Sequence, residues 1–329
     1  MPVLSRHFAG VSDIPLLVDW LRAIRPRERV TDYPSSIDLP ELLMLPHNQE
    51  TTRVWFAATG ALLGFAFVDA FRTLRFELDW PWTTAALEAE IVAWGTACLT
   101  DSATGAQLST LYATAHEADT CRLGYLDRHG FTRLADDIVH LERSLAPPIA
   151  APQLPPGFTL RPVAGEHEAA DLATLHREAF GTPHMTTERR LAMMRTARYD
   201  PALDVVIVAP AGALAAYGSG SVSPEENALT GRNAGYTDLF ATHPAYRRRG
   251  LARALLRRLL HLVQARGCAT ATLNTSRGNG PMQHVATSEG FQRVSTTFRF
   301  ARPVTTTEPD RPNWARTARR RALPGRGQA

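Results

Sequence analysis

Residues 247–249 are three consecutive arginines, and their surroundings favour the binding of an anion. The segment 236–242 before them has the pattern of a short strand, which Pro244 breaks because proline has no amide hydrogen to donate. After Gly250, leucines recur at three- and four-residue intervals as far as Val263, which is typical of an amphipathic helix. The arginines therefore lie where a strand passes into a helix N-terminus. Unpaired amides and the positive end of the helix dipole bind phosphate at such a place. Alternatively, they form the basic first turn of an ordinary surface helix.

The stretch 242–256 resembles the acetyl-CoA signature of the GNAT superfamily of N-acetyltransferases. In that family an Arg or Gln, two variable residues, a Gly, one further residue and a Gly or Ala wrap the pyrophosphate of CoA. The matching positions here are Arg247, Gly250 and Ala252. A second motif of the family, a helix opened by Asn and closed by Gly-Phe, resembles residues 279–291. The resemblance covers about residues 158–304, and two motifs in the expected order make it specific.

The resemblance implies that acetyl-CoA is the co-substrate and that the backbone holds much of it. In the family, a splayed strand ahead of the pyrophosphate loop pairs with the pantetheine arm. The cofactor-binding residues implied in this way are Phe240, Ala241, Thr242, Arg247, Arg248, Arg249, Gly250, Leu251, Ala252, Asn274, Asn279 and Met282. Asn279 is also predicted as a helix N-cap from its residue type. One position departs from the family, since Ala286 stands where many members have a tyrosine that protonates the departing thiolate.

An acceptor amine must lose a proton before or during its attack on the thioester, so a base is expected near the same strand. Asp238 is the first candidate, because an aspartate in a cleft can have its pKa tuned by its surroundings. Alternatively, it is a carboxylate paired with a neighbouring arginine. Tyr236 points to the same face by strand alternation and occupies a position where some relatives carry a glutamate. His184, between two predicted helices, is a further candidate or an ordinary loop histidine. Glu225 and Glu226 are interpreted as solvated residues of a polar loop.

The chain has 329 residues, of which 44% are hydrophobic and 21% charged, as is typical of a soluble globular protein. No apolar run reaches the length that spans a bilayer, and the N-terminus lacks a signal-peptide pattern. Three scattered cysteines fit a reduced, cytoplasmic setting. No group of residues has metal-ligand spacing. We therefore predict a cytoplasmic protein that binds neither a membrane nor a metal.

The net charge is +4, and residues 308–329 account for it with six arginines against two acidic residues. A nucleic-acid-binding surface is basic within the folded body and rich in aromatic residues. This chain is instead basic in a tail rich in Pro, Arg and Gly, which is expected to be disordered. The charge distribution therefore does not favour nucleic-acid binding.

Five prolines within residues 146–157 indicate an extended linker between two domains. After the linker, strands are predicted at 158–163, 203–208, 214–222, 236–242 and 268–275, helices at 166–180 and 187–199, and a loop at 223–232. The N-terminal half resembles a degenerate copy of this plan, with a hairpin at 54–68, a strand at 74–78 and a helix at 84–99. Its turn at 79–83 has no arginines and no glycine, so this half is predicted not to bind CoA at that turn.

These patterns predict an α/β (α+β) protein of two tandem GNAT-like domains, each a mixed, mostly antiparallel sheet flanked by helices. The predicted parts are a degenerate domain at 1–145, a linker at 146–157, a catalytic domain at 158–305 and a basic tail at 306–329. The resemblance implies an N-acetyltransferase that passes acetyl from acetyl-CoA to an amine of a small molecule by direct attack in a ternary complex. Tandem members of the family whose C-terminal half is catalytic have a similar layout.

Two alternatives remain, and the oligomeric state is predicted only as monomer or homodimer. A non-catalytic acyl-CoA-binding sensor or scaffold is favoured by Ala286. A nucleotide-binding α/β domain could use the same anion turn, but the Gly-Lys-Ser/Thr end of a P-loop is missing. A small acceptor is preferred to an extended peptide because a degenerate partner domain is expected to wall the substrate cleft.

Overall fold

The computed structural model describes residues 3–99, 110–196 and 198–304, which form two compact units. The first unit contains the chain up to Ala135 together with the segment from Phe298, and the second contains Asp136–Thr297. The units divide the chain differently from the predicted domains. The strand Ile138–Ser144 was expected in the N-terminal domain and belongs to the second unit, and the last strand, Gln292–Pro303, contributes to both. The predicted domain boundaries stay a prediction, and the basic tail lies outside the described residues.

The first unit is a sheet with helices, and its strands neighbour one another in chain order. Its strands are β1 (Val3–His7), β2 (Thr52–Ala57), β3 (Leu62–Val68), β4 (Thr73–Leu78), β5 (Thr110–His116) and β6 (Thr132–Arg133). Its helices are α1 (Ile14–Ile24), α2 (Leu39–Met44), α3 (Pro46–Glu50), α4 (Ala85–Ala97) and α5 (Thr120–Arg128). The sheet order is β1-β2-β3-β4-β5, followed by the last strand of the chain, and β4 and β5 are parallel. The predicted hairpin, strand and helix are all present.

The second unit has the same plan. Its strands are β7 (Ile138–Ser144), β8 (Thr159–Pro162), β9 (Asp204–Val208), β10 (Leu214–Ser221), β11 (Ala234–Thr242), β12 (Thr270–Ser276) and β13 (Gln292–Pro303). Its helices are α6 (Ala169–Phe180), α7 (Thr187–Met194), α8 (Pro224–Thr230), α9 (Leu251–Ala265) and α10 (Gly280–Ser288). The order is β13-β7-β12-β11-β10-β9-β8, in which β11 and β12 are parallel and the other pairs antiparallel. The predicted mixed, mostly antiparallel sheet is confirmed. No helix among the described residues combines the length and the apolar character needed to cross a bilayer.

Two local predictions were wrong. The predicted loop 223–232 contains α8, which begins at Pro224 because the Ser223 hydroxyl caps the amide of Glu226 at 3.2 Å. The second helix was predicted to run to residue 199 but ends at Met194. The hydroxyl of Tyr199 donates instead to a carboxylate oxygen of Asp204 at 2.7 Å.

Candidate active site

Strand β11 presents different residues to its two faces. A Cβ atom added at Gly235 would lie 2.9 Å from the Cβ of Val263, so this residue faces α9. Thr237 is also buried, as expected two residues further along the same face. Tyr236 and Asp238 therefore point to the opposite face, as the sequence predicted.

A β-bulge follows Asp238 and reverses this alternation. Against β10, Asp238 pairs with Ser219 and Ala241 pairs with Tyr217, so β11 holds one more residue than its partner in this interval. The extra residue is taken up where Leu239 adopts a φ of +52°, a conformation that is uncommon outside glycine. As a result Ala241 belongs to the apolar cluster that contains Tyr217, on the face of α6.

Strands β11 and β12 are paired only at their first residues and then separate. Their last paired residues are Tyr236 and Thr272, although β11 continues to Thr242 and β12 to Ser276. Within residues 198–304, no further ladder pair joins the two strands. One edge of β11, including residues 240–242, is thus open to an extended ligand that can add main-chain hydrogen bonds.

The turn after β11 ends in a row of backbone amides at the start of α9. Arg248 has a φ of +62° and Gly250 a φ of +79°, and the helix begins at Leu251. Among the described residues, no oxygen accepts a hydrogen bond from the amides of residues 248–253. The first bond of the helix runs from the Ala254 amide to the Gly250 carbonyl at 3.0 Å. These amides point away from the helix at its positive end and can hold a diphosphate.

The arginine side chains of this turn differ in their contacts. The guanidinium of Arg247 donates to the carbonyl of Ala179, at the end of α6, over 2.8 Å. His243, before the turn, pairs with Glu178 of the same helix at 3.0 Å. Arg248 and Arg249 are exposed. Arg247 therefore fixes the turn to α6, while the amides stay without a hydrogen-bond acceptor among the described residues and the side chains of Arg248 and Arg249 are exposed.

The second motif has its predicted cap, but one of its neighbours is engaged elsewhere. Asn279 accepts the Met282 amide at 3.2 Å, so the predicted N-cap is confirmed. The side-chain oxygen of Asn274 contacts Nδ1 of His140 at 2.8 Å, within the sheet. Asn274 lies within β12 rather than at its end. Ala286 is fully buried. The cofactor roles of Asn274, Asn279 and Met282 stay predictions.

Asp238 is an exposed carboxylate without an ion-pair partner among the described residues. The alternative interpretation, a carboxylate paired with an arginine, has no such pair among the described residues to support it. The residue as a whole is exposed, but protein atoms crowd around its carboxylate and displace part of the water, which raises the pKa of Asp238 above its ordinary value. The Leu239 amide, which donates to it at 2.6 Å, partly opposes this shift. Asp238 thus has two properties that a base for an amine needs, access and a raised pKa.

Two other side chains reach this face of the sheet, and the sequence analysis did not select them. Glu226, interpreted as a solvated loop residue, accepts a hydrogen bond from the hydroxyl of Tyr236. His176 contacts the Tyr217 hydroxyl through Nδ1 at 2.6 Å, and burial with nearby arginines lowers its pKa. Its position four residues before Phe180, on the apolar stripe of α6, is the signal that could have identified it. His184 is exposed in the α6–α7 loop, and its role as a base stays a prediction.

Residues 169–291 match the model of the acetyltransferase (GNAT) family. This segment is a GNAT acetyltransferase domain. The chain is therefore an acyltransferase. No curated protein matches the chain.

Solved structures of the GNAT class resemble the chain over most of its length. A GCN5-related N-acetyltransferase from Sphaerobacter thermophilus is 20% identical, with 92% of this chain and 95% of that chain covered and a TM-score of 0.71. A tandem GNAT protein from the clavulanic acid biosynthesis pathway is 17% identical, with coverages of 93% and 99% and a TM-score of 0.69. A GNAT-family acetyltransferase from Colwellia psychrerythraea is 13% identical, with coverages of 92% and 99% and a TM-score of 0.60. At these identities the likeness shows the tandem GNAT fold.

The first unit has the corresponding separation of strands, but its own side chains occupy it. The parallel pairing of β4 and β5 ends at Leu74 and Ala113. Arg122 of α5, three residues after its N-cap like Met282 in α10, donates to the carbonyl of Phe76 on β4 at 2.7 Å. The same guanidinium pairs with Glu77, which also accepts from Arg25 at 2.5 Å. A buried ion-pair network thus lies where the GNAT domain has an open strand edge.

Proposed function

We propose that the chain transfers the acetyl group of acetyl-CoA to an amine of a small molecule, by direct attack in a ternary complex. The observation that carries this proposal is the unpartnered row of amides at residues 248–253, next to the open edge of β11. The amides fit a diphosphate, and the edge fits an extended arm with amide groups. We further propose that the reaction takes place in the cytoplasm, by a monomer or a homodimer. The three cysteines, none of which forms a disulfide, support a reducing compartment.

The residues of the site follow one another along the chain in a way that suits the successive parts of CoA, the diphosphate and the pantetheine arm. The main chain of residues 248–252, with Arg248 and Arg249, would hold the diphosphate, and residues 240–242 would pair with the pantetheine arm. Bound there, acetyl-CoA supplies an activated acyl group. Asp238 lies further back along the same strand, beyond the bulge. It would accept the proton of the attacking amine in its ionised form.

Replacement of Asp238 by asparagine is expected to lower kcat/KM for the amine by about 10²-fold, the lower end of the range for a general base. The affinity for acetyl-CoA should remain unchanged, because the substitution keeps the size of the side chain and leaves the amide row intact. In the wild type, activity should fall as the pH decreases through the raised pKa of Asp238, since protonation removes the base. The carboxamide of the variant cannot titrate, so Asp238→Asn should lack this acid limb.

The check is the pH profile of kcat/KM for both proteins, with the acetyl-CoA dissociation constant measured in parallel. Glu225→Gln is a matched control, since it also neutralises one exposed carboxylate on the same unit. Protonation of the acceptor amine lowers kcat/KM at low pH in both proteins, so the comparison concerns the additional fall in the wild type. If Asp238→Asn shows the same additional fall, this residue is not the base.

The proposed function is tested by release of the CoA thiol in the presence of acetyl-CoA and a panel of amines. The panel pairs small-molecule amines with peptides that carry a free amino terminus. Turnover of small amines supports the proposal, whereas turnover confined to the peptides would overturn its small-molecule part. Tight binding of acetyl-CoA without turnover of any amine would instead identify an acyl-CoA-binding protein.

A further inference from the structure

Helix α8 brings a carboxylate to the face of β11 that carries Asp238. Glu226, in the first turn of α8, accepts the hydroxyl proton of Tyr236 in a hydrogen bond. Tyr236 lies two residues before Asp238 on the same face and is the last residue of β11 paired to β12. The Tyr236–Glu226 pair therefore lies at the point where the two strands separate, beside the proposed base.

The position of Glu226 is set by several contacts within the second unit. Its amide is capped by Ser223, and its carbonyl accepts from the Thr230 hydroxyl at 2.8 Å. The side chain of Asn227 donates to the Ala234 carbonyl at 3.0 Å and accepts from the Ala234 amide at 2.9 Å. This double contact ties α8 to the first residue of β11. Glu226 is thus held over Tyr236 rather than displayed on a solvated loop.

We infer that Glu226 is a positioning residue for the acceptor amine and that it acts through Tyr236. The inference rests on the proposed function. A carboxylate is a stronger acceptor than a neutral group, so the Tyr236 proton stays directed at Glu226. A phenol has one proton to donate, and once that proton is committed the phenol oxygen can only accept. It is then matched to an N–H group of the acceptor.

This arrangement orients the amine for attack. An N–H held by the Tyr236 oxygen turns the nitrogen lone pair away from the tyrosine. Asp238, on the same face, takes the proton that the nitrogen must lose. The N–C bond forms as the C–S bond breaks, the amine proton passes to Asp238, and solvent supplies the proton of the released thiol. Glu226 takes no part in the proton transfer.

The test compares Glu226→Ala, Glu226→Gln, Tyr236→Phe and the double variant Glu226→Ala/Tyr236→Phe with the wild type. Glu226→Ala and Tyr236→Phe should each lower kcat/KM for the amine by about 10- to 100-fold, as expected for one hydrogen bond to a charged group. The KM for acetyl-CoA should not change. The double variant should be no worse than the single ones, because the two residues act as a unit. Glu226→Gln should recover activity to within about threefold, since its amide oxygen accepts the same hydrogen bond.

Glu225→Ala provides the matched control, because Glu225 is the exposed neighbour of Glu226 on the same short helix. It should behave as the wild type. The inference is overturned if Glu226→Ala and Glu225→Ala are indistinguishable, if the two losses add, or if Glu226→Gln is as poor as Glu226→Ala. The last result would show that the charge, and not the hydrogen bond, is needed. Thermal unfolding of each variant identifies loss of folding, and the Tyr236→Phe and Glu226→Gln results then decide.

The two proposals fail differently. A wild-type protein that turns over no amine removes the proposed function and this inference with it. A wild-type protein that is active, together with an unaffected Glu226→Ala variant, removes the inference alone.

Discussion

Replacing Gly250 with glutamate is expected to weaken acetyl-CoA binding by about 10²- to 10⁴-fold and to abolish turnover at ordinary substrate concentrations. The new carboxylate would stand at the positive end of α9, where the amides of residues 248–253 have no hydrogen-bond acceptor among the described residues. Loss of two hydrogen bonds to charged oxygens, at about 1.5–3 kcal/mol each, corresponds to this factor. Repulsion between the carboxylate and a diphosphate acts in the same direction. Isothermal titration with acetyl-CoA measures the effect directly.

The chain offers a matched control in Gly212→Glu. Gly212 has a φ of +86° and Gly250 a φ of +79°, and a Cβ atom at either position would meet no atom within 4 Å. Both substitutions therefore introduce the same charge and a similar backbone strain, but Gly212 lies in the turn between β9 and β10, away from the amide row. Gly212→Glu should lower stability without changing the acetyl-CoA dissociation constant.

Thermal unfolding gives a second readout of the same prediction. Acetyl-CoA at about a hundred times its dissociation constant should raise the free energy of unfolding of the wild type by about 2.7 kcal/mol. The same concentration should stabilise Gly250→Glu by no more than about 0.4 kcal/mol, since it is at most equal to the weakened dissociation constant. If the wild type shows no shift with acetyl-CoA, CoA or longer acyl-CoAs, the assignment of the cofactor fails. Equal loss of affinity in the Gly212 and Gly250 variants would show that strain, and not the amide row, is responsible.

Replacing Glu77 with glutamine is expected to destabilise the protein by about 3–5 kcal/mol, because it breaks a buried ion pair and leaves guanidinium groups uncompensated. Arg25 and Arg122 both contact the Glu77 carboxylate, and all three side chains are almost fully buried. Their positive charges must then remain inside the first unit with less opposing charge. Chemical denaturation followed by tryptophan fluorescence measures the change.

The pH dependence of the free energy of unfolding provides a second test of the Glu77 ion pairs. Burial disfavours the ionised form of Glu77, but attraction to Arg122 and Arg25 outweighs it and lowers the pKa to about 2. The stabilisation is therefore complete above the unfolded-state pKa, near 4.5, and is lost as the pH falls toward 2. The difference in the free energy of unfolding between the wild type and Glu77→Gln should therefore decrease as the pH falls over this interval.

Glu166→Gln is the control for this experiment. Glu166 accepts two bonds from the guanidinium of Arg195 at 2.8 and 2.5 Å, but both side chains are exposed. Exposed pairs contribute little because water screens them. A similar loss in both variants would contradict the role of burial in the Glu77 network.

The sequence predicted the regular elements of the second unit because their patterns are local. The leucine spacing of α9 placed Leu251, Leu255 and Leu259 on one face, and all three are fully or almost fully buried. Asn279 caps α10 as its residue type predicted. One error was itself local, since Ser223 and Pro224 are helix-start signals for α8 in a segment that was predicted to be a loop. The contact of Asn227 with Ala234, which fixes that helix to β11, is a tertiary feature.

The features of the candidate site also fall into two groups, those that one segment of the sequence predicts and those that depend on contacts between segments. The anion turn could be predicted, since arginines, Gly250 and a helix start are consecutive in the chain. The hydrogen bonds of His176 and Glu226 could not be predicted, because each reaches its partner, Tyr217 or Tyr236, from another element. The β-bulge at Leu239 was also beyond the sequence. It depends on the register between β10 and β11, and alternation alone would have placed residues 240 and 242 on the wrong face.

By itself, the sequence determined the features that depend on a single segment: the buried faces of the helices, their caps and the arginine-glycine turn. Only the tertiary structure decided which carboxylate is accessible and unpaired and which is held by a tyrosine. It also decided that the separated strands are open at β11 but occupied by Arg122 at β4. The physical reason is that pairing, desolvation and strand register are properties of neighbours in space. Charges and hydrogen-bond donors distant in the chain determine them, and no local pattern records those distances.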